Sequence, residues 1–267
     1  MNNSSLKNLY KNRDLIWQFT KREIEAKHKG SRLGSLWALI SPTLMLGLYL
    51  IVFGLIFGGR FGILPEENFY DFAIALFLGL TLFNIIADVI ASSPTYITSQ
   101  PNFVKKVVFP LEIISISKIA ASFYFALLSV GIAVILTPFS HGGITFYALQ
   151  LPIILLPLGA IAIGLSWILC SIGVFFKDLN HTTGFISTTV MYASAIVYSP
   201  SRLPIPLNTI LQYNPILLII DQSRRVLFWR QSIQLRQIVI IYIFSIITFV
   251  LGYIIFKKLR PYFAELL

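Results

Sequence analysis

Two long blocks of the chain contain no Asp, Glu, Lys or Arg, and they constrain the fold more than any other feature. The blocks are Leu33–Gly59 and Ile119–Phe176. A helix that crosses a bilayer needs about 20 mostly apolar residues, and both blocks exceed that length. Charged residues make up 12% of the 267 residues, whereas soluble domains carry about 25%. The sequence therefore predicts an integral membrane protein.

Six apolar segments have the length of a spanning helix, which predicts an all-α membrane protein with six transmembrane helices. They are Leu36–Phe57, Phe72–Ser92, Ile113–Leu136, Ala148–Phe175, Thr182–Ser199 and Gln237–Phe256. The apolar runs are continuous rather than alternating, which disfavours a membrane barrel. We expect one domain over residues 1–267, with an interface helix in 1–32, the bundle in 36–256 and a re-entrant outer segment with short helices in 200–234.

The distribution of basic residues predicts the orientation of the chain. Eight of the 21 Lys and Arg residues precede Leu33, and further lysines follow the second, fourth and sixth spans. Positive charge marks the cytoplasmic side of a membrane protein. We therefore expect both termini in the cytoplasm. The stretch from 200 to 236 carries five arginines on the predicted outer side, against this rule.

The segment before the first span mixes basic and apolar residues at near-helical spacing. Such a helix, with Trp17 on its apolar side, is typical of one that lies in the membrane interface. The alternative is a simple anchor whose charges only set the orientation. Gly30 and Gly34 permit a sharp change of direction into the span, and Pro42 is expected to kink its first turns.

The motifs of catalysis and metal binding are missing from the sequence. There is no Walker A pattern, no HExxH, no CxxC and no GxSxG, and the three histidines are far apart. We therefore expect no catalytic residue, no metal site and no enzyme activity, so that energy comes from an ion gradient or a partner ATPase. Asp88 lies within a span and is either an ion-coupling carboxylate or a carboxylate that is held in interfacial water or paired with a nearby lysine.

Two further segments have unusual compositions. The link Ser92–Ile113 contains three prolines and a short amphipathic centre, which favours a helix that docks into another protein over a re-entrant loop or a loop at the membrane surface. In Leu203–Gln231, Asn214 and Pro215 have the pattern of an N-cap followed by a first helical residue. A helix from there places Asp221 three and four residues before Arg224 and Arg225, which predicts a local ion pair.

Three stretches, "KREIEAKHKGSRLGSLWALISP", "NFVKKVVFPLEI" and "YNPILLIIDQSRR", carry a resemblance over nearly the whole chain. The chain resembles the permease subunits of polysaccharide-exporting ABC transporters of the O-antigen, capsule and teichoic-acid class. The resemblance implies a homodimer in the bacterial cytoplasmic membrane, with two ATP-binding subunits that bind ATP and Mg²⁺. It implies an undecaprenyl-linked polysaccharide as cargo, contact with membrane lipids, no cofactor in this chain and no nucleic acid.

The aromatic residues of the first and fifth spans are the candidate glycan contacts. Tyr49, Phe53 and Phe57 recur every four residues on one helical face. Flat amphipathic rings stack on sugars, and the resemblance implies that the first and fifth spans form the channel wall. The alternatives are lipid contact and ordinary helix packing. The complete set of candidates is Trp37, Tyr49, Phe53, Phe57, Tyr192 and Tyr198.

Three other groups of residues complete the expected sites. Lys27, Lys29 and Arg32 are expected to gather the lipid head group at the cytoplasmic entrance. The resemblance assigns ATPase coupling to Phe103, Val104, Lys105 and Lys106, and the outer re-entrant segment to Asp221, Arg224 and Arg225. The rival functions are an ion-coupled secondary transporter without an ATPase and a membrane-bound glycan-modifying enzyme.

Overall fold

A computed structural model describes residues 11–63, 67–105, 109–140, 143, 145–199 and 204–266. The described part of the chain contains helices and no β-strand, as the all-α prediction requires. The helices are α1 (Arg13–Lys27), α2 (Trp37–Tyr49), α3 (Phe69–Ser92), α4 (Pro101–Lys105), α5 (Glu112–Leu136), α6 (Leu151–Phe175), α7 (Leu179–Ala193), α8 (Ile205–Leu211), α9 (Pro215–Leu227), α10 (Leu235–Leu259) and α11 (Phe263–Leu266). After α2 the chain continues as a π-helical turn, Leu50–Ile56, which we call the π turn.

Five helical stretches are long and apolar enough to cross a membrane. They are Gly34–Ile56, Phe69–Thr95, Glu112–Phe139, Phe146–Phe175 and Leu235–Leu266. These stretches match five of the six predicted spans, so the count of six is not confirmed.

The predicted fifth span, Thr182–Ser199, differs most from the expectation. It corresponds to α7, which has 15 residues, or about 22 Å at 1.5 Å per residue. That length is shorter than the hydrocarbon core of about 30 Å. The helix ends at Ala193, and two residues later Ala195 has a φ of 48°, which no α-helix accommodates.

Helix α3 is the centre of the bundle. It packs against α2, α5, α6, α7 and α9, and 16 of its 24 residues are buried. Its first turn is closed by a capping box, in which Asn68 Oδ1 accepts from the main-chain N–H groups of Tyr70 and Asp71 at 2.9 Å. In return the Asp71 carboxylate accepts from the Asn68 N–H at 3.1 Å. These bonds satisfy N–H groups that the first turn of a helix otherwise leaves without partners.

Helix α1 lies along α5 and leads into α2 through a tight turn. Gly30 and Gly34 have φ values of 88° and 50°, so the predicted change of direction uses the left-handed region that glycine adopts without strain. Glu23 of α1 forms an ion pair with Lys118 of α5 at 3.3 Å. The part of the predicted interface helix within residues 1–10 lies outside the described residues.

The two ends of the bundle carry different elements. Helices α1, α4 and α11 gather at one end, since α4 packs on α11 and Phe19 of α1 contacts Phe103 of α4. Helices α8 and α9 lie at the other, where Asn208 of α8 and Leu217 of α9 line one cavity and Arg224 of α9 reaches Ala75 in the first half of α3. We call these the α1 end and the α9 end.

Glycines bring α6 and α10 into backbone contact. A Cβ added at Gly164 would lie 2.4 Å from the Thr248 carbonyl oxygen, and one added at Gly252 would lie 2.2 Å from the Gly164 carbonyl oxygen. Helices in membranes associate through such small residues because apolar side chains gain little by leaving lipid.

We expect Gly252→Ala to lower the free energy of unfolding by about 1–3 kcal/mol, because the two helices must separate to admit the methyl group. Thermal unfolding of the detergent-solubilised protein measures the effect. Gly131→Ala on α5 is the matched control, since a Cβ there meets no heavy atom within 4 Å. Equal stability of both variants would contradict the close approach of α6 and α10.

Candidate functional site

Tyr49, Phe53 and Phe57 form a continuous aromatic stripe along α2 and the π turn. Their ring centroids are 6.2 Å and 6.0 Å apart in sequence order. Tyr49 and Phe53 are half-buried against the main core, whereas Phe57 is 71% exposed. The predicted shared face therefore exists, although the chain is π-helical rather than α-helical over Leu50–Ile56. It is accessible mainly at the Phe57 end.

Helix α7 presents a polar face outward. His181, Thr182, Thr188 and Thr189 are exposed, and both Thr188 and Thr189 donate their hydroxyls to main-chain carbonyls one turn earlier. Tyr192 lies on the exposed side at 60% exposure. The two hydroxyls are satisfied within the helix, and Phe185 on the same face is 79% exposed, so the face is polar and aromatic together. This face therefore suits a water-filled channel or an interface with a second subunit.

The remaining predicted aromatic contacts separate into two places. Tyr198 is half-buried, and its hydroxyl donates to the main-chain oxygen of Tyr192, which folds the chain after α7 back onto that helix. Trp37 lies away from the stripe, in a crevice that Lys27 and Asp88 also line. The structure thus keeps Trp37 apart from the aromatic stripe.

The three predicted head-group residues are also divided. Lys29 and Arg32 are exposed in the turn between α1 and α2. Lys27 is exposed as well, but its Nζ lies 4.2 Å from the centroid of the Phe125 ring. A cation over an aromatic face is attracted by the ring quadrupole. All three residues are therefore accessible, and Lys27 differs from the other two in being held against an aromatic ring.

The predicted docking helix forms as α4 and is supported by aromatic packing. The ring centroid of Phe103 lies 4.8 Å from that of Phe109 and 5.8 Å from that of Phe19 on α1. Val104 is half-buried in the same cluster, and Lys105 is exposed at the end of the helix. Lys106 lies outside the described residues. The apolar side of α4 therefore faces the protein, while its basic end is free to meet a partner.

An ion pair between distant parts of the chain completes the α1 end. Arg260, after α10, donates from Nη1 to Glu112 Oε1 at 2.9 Å and from Nη2 to the Phe109 carbonyl oxygen at 3.0 Å. The C-terminal segment is thereby joined to the chain that follows α4. No pattern in the sequence pairs residues 148 positions apart, so sequence reasoning missed this contact.

At the α9 end, the buried guanidinium of Arg224 joins three segments. It donates to the carbonyl oxygens of Ala75 at 3.0 Å, Ala195 at 3.3 Å and Ile196 at 2.6 Å. It also lies 4.4 Å from the ring centroid of Phe61. Burial lowers the pKa of Arg224 to about 10, which still leaves the group charged at neutral pH. Arg224 of α9 thus joins the chain after α7 to α3, against which α7 also packs directly.

The ion pair predicted for Asp221 is wrong. Within the described residues no salt bridge joins Asp221 to Arg224 or Arg225, because Arg224 turns to main-chain carbonyls instead. Asp221 lines a cavity of about 280 Å³ with Asn208 and Gln237. Burial raises the pKa of Asp221, and the nearby charges of Arg224 and Arg225 oppose that rise. The N-cap itself is confirmed, since Asn214 Oδ1 accepts from the Ile216 N–H at 3.0 Å.

Sequence reasoning also missed Glu67, which shapes the loop before α3. Its carboxylate accepts from the main-chain N–H groups of Phe61, Gly62 and Ile63 at 2.8, 2.7 and 3.3 Å. The only available signal was a carboxylate directly before an N-cap residue, five residues after Gly62. In the described part of the chain no group of three or more His, Cys, Asp or Glu side chains has the geometry to hold a metal ion.

A bundle with five helical stretches long and apolar enough to cross a membrane is typical of a membrane transport component. The chain belongs to the ABC-2 type transporter family, whose model matches residues 14–228.

Curated relatives of similar length exist. The chain is 27% identical over 256 residues to the O-antigen export system permease protein RfbA of Klebsiella pneumoniae, which covers 95% of each chain. It is 23% identical over 269 residues to the protein of the same name from Myxococcus xanthus, which covers 97% of this chain and 98% of that one. It is also 26% identical over 198 residues to the inner membrane transport permease YadH of Escherichia coli K12. That alignment covers 70% of this chain and 73% of the relative.

We expect Arg224→Met to lower the melting temperature by about 5 °C or more, because three buried carbonyl oxygens lose their donor. The melting temperature of Arg224→Lys is expected to lie between those of the unmodified protein and Arg224→Met, since one ammonium cannot reach all three oxygens. Gly79→Ala is a second probe, because its Cβ would lie 2.5 Å from Arg224 Nη2.

The control for these variants is Arg236→Met, which removes an exposed arginine at the same end. It is expected to change the melting temperature little. A melting temperature for Arg224→Met that equals that of the control would show that the carbonyl contacts contribute no stability.

Proposed function

We propose that this chain is the transmembrane subunit of an ABC exporter that moves a lipid-linked polysaccharide, most specifically an O-antigen, across the bacterial cytoplasmic membrane. The observation that carries the proposal is similarity over nearly the full chain to O-antigen export permeases. Family membership supports the same assignment. The chain lacks a Walker A motif, so the proposal places ATP and Mg²⁺ in a separate subunit.

The proposed assembly is a homodimer with the channel between two copies. Helix α2 buries only Leu46, and α7 buries only Thr183. A second copy would cover these under-packed helices and enclose the exposed polar and aromatic face of α7. The aromatic stripe would then meet the sugars of an undecaprenyl-linked chain by stacking.

The proposed orientation puts the α1 end in the cytoplasm. That end carries Lys29, Arg32, Lys105, Lys257 and Lys258, as the positive-inside rule requires. Lys29 and Arg32 would attract the anionic head of the lipid carrier, and α4 would dock into the ATPase. The α9 end would then face outward, with α8 and α9 at the channel exit.

We expect Lys105→Glu to weaken co-purification of the ATPase subunit and to lower export, because it reverses the charge at the exposed end of α4. Pull-down with the tagged ATPase and surface polysaccharide staining measure the two effects. Arg236→Glu reverses an exposed charge at the opposite end and serves as the control. Export by the permease without any ATPase would instead support an ion-coupled transporter and would refute the proposed function.

We expect Phe57→Ala to reduce surface polysaccharide by roughly threefold at normal membrane levels, as the loss of one aromatic contact suggests. ATP hydrolysis by the assembled complex should stay near normal, because Phe57 is 71% exposed and its removal leaves no cavity. Tyr49→Ala tests the half-buried end of the stripe in the same assay.

Phe146→Ala is the matched control for the stripe. Phe146 is 91% exposed in the segment before α6 and lies outside the proposed wall. Wild-type export by both stripe variants would show that the stripe does not line the channel, and Tyr192 on α7 would become the next candidate.

A further inference from the structure

A polar crevice at the α1 end lies among α1, α2, α3 and α5. It consists of two adjoining cavities of about 430 and 370 Å³, which share Lys27, Asp88, Ser122 and Phe125. The outer cavity is also lined by Glu23, Tyr96 and Lys118. The inner one is also lined by Trp37, Ser41 and Asn84. Cavities of this size commonly hold small molecules or their polar head groups.

The crevice extends from the membrane boundary into the hydrocarbon. Along α3 it runs from Ser92 to Thr81, which is about 16 Å of helix. Asn84 and Asp88 are exposed to this space. Such side chains do not face lipid tails at this depth without a polar partner. A polar occupant is therefore needed.

Several polar groups in the crevice lack good partners within the described chain. Asp88 accepts one long hydrogen bond, from Ser122 Oγ at 3.5 Å, and none of the salt bridges among the described residues includes it. Lys27 rests on the Phe125 ring. The Nε2 atom of His28, another lining residue, is buried without a hydrogen-bond partner. One acceptor and two potential donors are thus available to a ligand.

The balance of charge indicates which ligand fits. Lys118 and Glu23 neutralise each other at 3.3 Å. The charges left without a salt bridge among the described residues are the ammonium of Lys27 and the carboxylate of Asp88, which are close enough to attract each other. A strongly anionic head, such as a pyrophosphate, would be repelled by Asp88 in a medium of low dielectric constant. A zwitterion with one phosphate and one primary ammonium matches both charges and satisfies the remaining hydrogen bonds.

The surroundings of the crevice also fit a lipid. Ala38 and Ala126 line its inner part, and the next residue on each helix, Leu39 and Leu127, is exposed and apolar. Acyl chains could therefore pass between α2 and α5 into the bilayer. We propose that this crevice binds the phosphoethanolamine head group of a bilayer lipid, with its ammonium on Asp88 and its phosphate at Lys27 and His28.

This lipid site is separate from the proposed channel wall and does not depend on which polymer is exported. A choline head group carries no N–H donor for the Asp88 carboxylate, so phosphatidylcholine is expected to bind less well. Phosphatidylglycerol lacks the ammonium altogether. The site therefore has a defined order of preference among three common lipids.

The test uses the permease with its ATPase subunit, reconstituted in discs of equal parts phosphatidylethanolamine, phosphatidylcholine and phosphatidylglycerol. After mild detergent extraction, native mass spectrometry measures the lipids that remain bound. We expect phosphatidylethanolamine to be enriched about tenfold over each of the others, and Asp88→Asn to abolish the enrichment. Glu25→Gln is the matched control, because Glu25 lies on α1 outside the crevice and pairs with Lys21 at 3.8 Å.

A second measurement on the unmodified protein covers the case in which Asp88→Asn does not fold. A photoreactive phosphatidylethanolamine should label peptides that contain Ser41 or Ser122, and excess phosphatidylethanolamine should compete. Equal competition by phosphatidylcholine, enrichment of phosphatidylglycerol, or competition by a polyprenyl pyrophosphate would each overturn the proposal. A retained-lipid ratio equal to that of the disc would do the same.

Discussion

Polar groups at membrane depth cannot rely on water, and the structure depends on satisfying them within the protein. Hydroxyl side chains of the spans donate to their own helices, as Ser117, Thr137 and Ser171 do to carbonyls four residues earlier. The guanidinium of Arg224 extends the same principle to three separate segments. Without this guanidinium, the carbonyl oxygens of Ala195 and Ile196, which follow the end of α7, would be buried without donors. That costs about 1–3 kcal/mol for each group.

The second determinant is close packing without a hydrophobic driving force between spans. Helix α6 contacts α10 through Gly164 and Gly252, and it contacts Pro94, after α3, through Gly173. The backbones come so close that these glycines leave no room for a Cβ. These contacts make α3, α6 and α10 a rigid group. Helices α2 and α7 attach to that group at its edge and bury one residue each.

Much of this fold follows from the sequence, because apolar length alone defines a span. Five spans, the turn at Gly30 and Gly34, the short helix at Pro101–Lys105 and the cap at Asn214 were all predicted. The short length of α7 was not predicted. The segment is apolar enough on average to suggest a span, but the chain turns after Ala193. The ion pair at Asp221 failed for a different reason. Helical spacing brings Asp221 near Arg224, but carbonyls from 149 and 29 residues away compete for the same guanidinium.

The same contrast divides the candidate sites. The docking helix and the aromatic stripe are local patterns, so spacing along one helix is enough to find them. Trp37, Lys27 and Asp88 come together only because α1 folds back along α5, and no local pattern reports such a contact.

The arrangement of rigid and loose parts bears directly on transport. At the α1 end, Phe19, Phe103 and Phe109 join α1 to α4, and Arg260 joins the C-terminal segment to the same cluster. A force applied to α4 is therefore shared by α1 and α10 rather than absorbed by a flexible loop. Helices α2 and α7, which carry the start of the aromatic stripe and the exposed polar face, bury one residue each, as α1 does. Because a helix that buries one residue moves at little cost in packing, a rearrangement driven from α4 meets little resistance at α1 or at the proposed channel wall.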